Sequence, residues 1–167
     1  MKNTKKLALA GMLTAIAVVG SMFSIPVLGA KCSPVQHMVN IIAGVLLGPW
    51  YALAMAFITS LLRNLMGLGS LLAFPGSMIG AFLCGFAYKL CPKLPVAYLS
   101  EVIGTGIIGA ICSYPIASWI MNNSSAALFT FVPSFLVSTA VGSLISVMVL
   151  SALKRTNVLH QLEVSLR

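Results

Sequence analysis

Residues 35–66 read VQHMVNIIAGVLLGPWYALAMAFITSLLRNLM, without one acidic side chain and with a single lysine or arginine, Arg63, near the end. Two apolar runs, about Val35–Leu47 and Trp50–Met66, meet at Gly48-Pro49. Proline lacks an N–H to continue a helix but suits the first turn of a new one, so the pair predicts one helix ending and another beginning. The rest of the chain has the same character. Of 167 residues, 59% are hydrophobic and 7% charged, with a mean hydropathy of +1.04. A soluble domain carries about 25% charged residues, and a disordered chain is far less apolar than this one. At about 20 apolar residues per crossing, the composition predicts an all-α integral membrane bundle with six transmembrane helices.

The other runs are about Leu7–Val27, Phe74–Tyr88, Val96–Met121 and Leu128–Leu153. Gly67-Leu68-Gly69-Ser70, the proline-containing stretch Lys89–Pro95 and Asn122-Asn123-Ser124-Ser125 separate them. The fifth run is long enough to tilt or to break near Pro115. The first, behind Lys2, Lys5 and Lys6, also has the shape of a secretory signal. Leu28 and Ala30 make a weak cleavage site and Lys31 before Cys32 does not suit lipoprotein processing, so the run is expected to stay as the first helix. The expected organisation is one six-helix transmembrane domain over residues 1–155 and a short cytoplasmic tail over 156–167.

Charge orients the bundle. With six spans, the ends and the even-numbered loops hold Lys2, Lys5, Lys6, Lys89, Lys93, Lys154, Arg155 and Arg167, against Lys31 and Arg63 on the other side. Cytoplasmic loops collect lysine and arginine, so both termini are expected in the cytoplasm of a multi-pass plasma-membrane protein. The net charge of +8 is thereby explained without nucleic acid. Cys32, Cys84, Cys91 and Cys112 form no CxxC pair or Cys/His cluster, which predicts neither a disulfide framework nor a metal site.

Small residues recur four apart at Gly11/Ala15, Gly44/Gly48, Gly76/Gly80, Gly106/Ala110 and Gly142/Ser146. Such pairs let helices approach closely in lipid, and packing within the bundle is expected for all but the first. Phosphate-binding loops, His-Glu-x-x-His, Gly-x-Ser-x-Gly and paired carboxylates are all missing from the sequence. With Glu101 and Glu163 the only acids, no catalytic residue, enzyme activity or cofactor is expected.

Polar side chains gather instead toward the predicted outer ends of the helices: Gln36, His37 and Asn40 within one turn, then Arg63, Asn64, Ser77 and Tyr114, with Phe74 at the same level. Polar groups at membrane depth are costly and mark a site or an internal pair. Glu101, several residues inside the fifth run, is either hydrogen-bonded within the bundle or functional. The set predicts an outward pocket for a small, mostly apolar heterocycle. Phe74 and Tyr114 are expected to touch its ring, with Gln36, His37, Asn40, Asn64, Ser77 and Glu101 supplying polar contacts. Arg63 is expected to organise the outer loops.

Several strings carry a resemblance: Pro34-Val35-Gln36-His37-Met38-Val39-Asn40, Gly48-Pro49-Trp50-Tyr51, Leu62-Arg63-Asn64, Leu72 through Gly80, and Glu101-Val102-Ile103-Gly104-Thr105-Gly106. Together they resemble the ThiW family, over residues 5 to 150 or so. The resemblance implies an S component, the substrate-binding membrane subunit of an energy-coupling-factor (ECF) importer, taking up hydroxyethylthiazole as a thiamine precursor. It further implies, as partners, a coupling transmembrane subunit with two ATPase subunits. In the wider group an Ala-x-x-x-Ala motif on the first helix contacts that coupling subunit. Gly11 and Ala15 are the matching positions here, with glycine in place of the first alanine. The rivals are a stand-alone secondary transporter, with Glu101 as its proton site, and an S component for another vitamin precursor.

Overall fold

The computed structural model describes residues 2–27, 30–123 and 127–166. Leu28, Ser124, Ser125 and Arg167, which enter the readings above, lie outside the described residues. Helix α1 spans Lys2–Gly20 and is followed by a short 3-10 turn and two strands, β1 (Ile25–Val27) and β2 (Ala30–Cys32). Then come α2 (Pro34–Leu47), α3 (Pro49–Leu65) and α4 (Ala73–Leu90). α5 (Leu94–Ile103) runs through a π-helical stretch, Gly104–Gly109, into α6 (Ala110–Pro115) and a second π turn, Ile116–Ile120. α7 (Val132–Arg155) and α8 (Val158–Leu166) complete the chain.

The result is a mostly helical bundle in which three stretches, Asn3–Phe23, Leu94–Ile120 and Val132–Arg155, are long and apolar enough to cross a membrane. The expected first helix is shortened. Pro26 pushes Ile25 into an extended conformation, and the chain leaves the helix to form an antiparallel hairpin with Ile25 opposite Cys32. The fifth run does not break at Pro115; it continues and widens into the π turn. The sixth helix starts at Val132, with Pro133 in its first turn, where a missing N–H costs nothing. The expected tail is itself a helix. Asn157, in a left-handed conformation with φ of 60°, turns the chain into α8, which buries Leu159 and Leu166 against the bundle.

α2 is the central element, packed against α1, α3, α4, α5, α7 and α8, and its residues 39–47 are all buried. At about 1.5 Å per residue, its 14 residues extend roughly 21 Å, short of the ~30 Å apolar layer. Its first turn already buries Gln36 and His37. Gly48, with φ of 84°, takes a conformation that favours glycine and reverses the chain into α3. α4 crosses the α5 segment glycine to glycine: a Cβ on Gly104 would lie 2.9 Å from Gly80 Cα, and one on Gly109 would lie 2.7 Å from Gly76 Cα.

The basic residues divide between the two ends of α2. Lys31 and Arg63 line a cavity over its N-terminus. Lys93 and Lys154 flank a groove against α8, and Lys6 lies near Val45, Leu46 and Glu163 at the C-terminal end of α2.

Candidate functional site

The cavity over α2 is walled by the β2 end, α2, α3, α4, the first π turn and α7. Gln36, His37, Arg63, Ser77, Thr105 and Phe135 carry its chemistry. Its free volume of about 30 Å³, open on one side, holds about two water molecules. A ring-sized ligand therefore requires side chains at the mouth to move aside. Lys31 spans that mouth, its Nζ donating to Gly67 O at 3.0 Å and tying the hairpin to the α3–α4 turn.

Beneath the cavity runs a buried hydrogen-bonded chain. Arg63 Nη1 donates to Gln36 Oε1, and Gln36 Nε2 donates to Ser60 Oγ at 3.3 Å. Ser60 and Ser77 share a hydroxyl contact of 2.9 Å. Asn40 Nδ2 reaches Ser77 O at 3.3 Å and Glu101 Oε1 at 3.1 Å. The same oxygen of Glu101 takes Thr105 Oγ1 at 3.1 Å and meets His37 Nδ1 at 3.1 Å. Glu101 is 0% exposed. Its position depends on Gly80, since a Cβ there would fall on Thr105 Oγ1 and come within 2.7 Å of Glu101 Oε2. A carboxylate holding Nδ1 selects one orientation of the imidazole and leaves Nε2 as its free nitrogen. Glu101 Oε2, Asn40 Oδ1 and Arg63 Nε are buried without a partner.

Of the sequence-derived candidates, Gln36, His37 and Ser77 line the cavity, and Asn40 and Glu101 lie one layer below it, joined to it through His37, Ser77 and Thr105. Arg63, read from sequence as a loop organiser, lies in the cavity wall. Its backbone oxygen also accepts from Leu68 and Gly69 N, so it shapes the outer turn as well. Asn64 is not on the cavity; its amide donates to Ser60 O and Ser70 O, fastening the end of α3. Phe74 and Tyr114 are also off the cavity, Phe74 packing on half-exposed Phe57 at 5.6 Å. The aromatic ring that lines it is Phe135, and Ser138 joins it from α7. Sequence reading missed both, along with Thr105 and Cys32. Only Thr105 gave a signal, being one helical turn from Glu101.

Gly11 and Ala15 share an exposed face of α1, and a Cβ on Gly11 would meet nothing within 4 Å. Gly44, Gly76, Gly106 and Gly142, by contrast, each press on a neighbouring helix. Among the described residues the four cysteines are free thiols.

The ThiW family, "Thiamine-precursor transporter protein (ThiW)", matches residues 7–156. The chain belongs to the ThiW family. That family is one of transporters and not of enzymes. No curated protein matches in sequence. A solved structure described as "Structure and mechanism of the S component of a bacterial ECF transporter" aligns with a TM-score of 0.77. The alignment covers 92% of the ThiW chain and 98% of the other, at 18% identity. The ThiW chain thus has the fold of an S component, and it is a membrane protein.

Proposed function

We propose that this chain is the substrate-binding subunit of an ECF importer and that it captures hydroxyethylthiazole, a thiamine precursor, from outside the cell. The observation that carries the reading is the cavity over α2 with its buried polar chain, at the end of the bundle poorer in basic residues, in a member of the ThiW family. Six segments cross the plasma membrane: α1, α2 with its hairpin, α3, α4, the α5–α6 segment and α7. By the eight-to-two division of basic residues, both termini and α8 face the cytoplasm, with the cavity outside.

In this reading His37 Nδ1–H donates to Glu101, and Nε2 accepts the substrate's alcohol proton. Gln36 and Ser77 complete the polar contacts. Phe135, held over Gly76, takes the aromatic ring, a role read from sequence for Phe74 and Tyr114. Glu101, Asn40 and Thr105 position His37, while Asn64 and Lys31 hold the outer turn. Gly11 and Ala15 offer a flat patch to the coupling subunit, which brings two ATPase subunits. The subunit itself needs no cofactor.

Calorimetric titration of hydroxyethylthiazole into detergent-solubilised protein tests the assignment. Phe135→Ala is expected to weaken binding about 10-fold, the value of one good aromatic contact. His37→Ala and Asn40→Ala should weaken it at least as much, through lost or misdirected hydrogen bonds. Phe74→Ala should leave it near wild type. A larger loss in Phe74→Ala than in Phe135→Ala would move the ring site to the other face of α4.

A further inference from the structure

Arg63 is a buried cation without a counter-ion. It is 3% exposed, which excludes an arginine reaching out to the lipid phosphates. Its guanidinium bonds Gln36, a neutral amide, and its Nε has no partner. The chain owns only two acidic side chains. Glu101 is held by His37, Asn40 and Thr105, and Glu163 lies at the opposite end of α2 with Tyr88. Among the described residues the one close contact between a carboxylate and a basic side chain is that of Glu101 with His37. An arginine stays charged in a protein, and a buried charge is costly unless paired. Among the described residues no carboxylate contacts the guanidinium, whereas the cavity that Arg63 lines can admit one. Two further features give the same sign: Lys31 stands in the same wall, and the first turn of α2, with its positive helix end, forms part of the lining.

We propose that the cavity contains an anion site centred on Arg63, so that what the chain captures includes an oxyanion, either a carboxylate or a phosphate. This rests on reading the cavity as the precursor site and narrows the substrate class. The oxyanion is either a substituent on the heterocycle or a free anion bound beside the neutral alcohol. The guanidinium fork matches two oxygens of either, and Lys31, now on Gly67 O, adds a second charge at the mouth.

The test compares four probes on the purified full chain in detergent: the thiazole alcohol, the alcohol with inorganic phosphate, its phosphate monoester, and phosphate alone. A substituent anion makes the monoester bind about 10- to 100-fold tighter than the alcohol, the range of one charge-assisted contact. A separate anion makes added phosphate tighten the alcohol by a similar factor. In either case Arg63→Gln should bring the ratio close to one, and Arg63→Lys should keep part of it. A purely structural Arg63 would lower all affinities together and preserve the ratio. That result, or equal wild-type affinity for all thiazole probes, overturns the anion site while leaving the thiazole reading intact. If no thiazole binds, yet phosphate alone raises the melting temperature of wild type and not of Arg63→Gln, the anion site stands and the thiazole reading falls.

Discussion

Glu101→Ala is expected to abolish thiazole binding and to cost about 3 kcal/mol or more of folding stability. One oxygen of this carboxylate receives Asn40, Thr105 and His37 from three directions. Removing it takes that acceptor from Thr105 and His37 and leaves Asn40 Nδ2 with Ser77 O alone. The loss also frees the ring of His37, so the cavity wall changes even where the bundle stays folded. Glu101→Gln separates the two effects, because it keeps the volume and one acceptor oxygen. That variant should recover most of the stability and remain impaired in binding, since an amide does not select the imidazole tautomer as a carboxylate does. Thermal unfolding in detergent, read beside titration of the thiazole, checks both. An alanine variant that melts with wild type would mean that the buried chain contributes no stability.

The second large effect is expected on transport alone. Gly11→Leu should leave thiazole binding unchanged and stop uptake when the chain is combined with a coupling subunit and its ATPases. Gly44 presses on Cys84 and Gly85, Gly76 on Phe135, Gly106 on Leu136, and Gly142 on Pro34 and His37, so bulk at any of these disturbs the fold. Gly11 faces open space beside exposed Ala15. A leucine there fits the isolated subunit and obstructs only a partner that must come close. Comparing binding in detergent with uptake into cells distinguishes the cases. Undiminished uptake would put the docking surface elsewhere, and lost binding would show that α1 is coupled to the cavity.

Much of this arrangement was legible in residue order. Gly48-Pro49 marked the α2–α3 reversal, and the apolar runs located the helices because hydropathy reports what lipid or neighbouring helices will accept. Glu101 and His37 stood out because polar atoms are costly in such surroundings. The hairpin was hidden because Ile25-Pro26-Val27 is as apolar as the helix before it; only the local effect of Pro26 separates the two. The π turns leave no hydropathy mark. Phe135 was missed for a different reason: the buried stripe of α7 is mostly Ser, Thr and Gly, and that Phe135 meets the cavity depends on its packing over Gly76 on α4, almost sixty residues away in the chain. Phe74 and Tyr114 lie at a plausible depth but on other faces of their helices. Depth can be read along a sequence, whereas facing depends on packing between distant segments.

The most direct measurement is native mass spectrometry of the full chain, purified from cells supplied with hydroxyethylthiazole and then with a vitamin-precursor pyrimidine. The expected result is a single bound thiazole, free or as an anionic derivative, that is lost in the Phe135→Ala and His37→Ala variants. Retention of the pyrimidine in its place, or of no small molecule at all, would contradict the assignment of this cavity to a thiazole precursor.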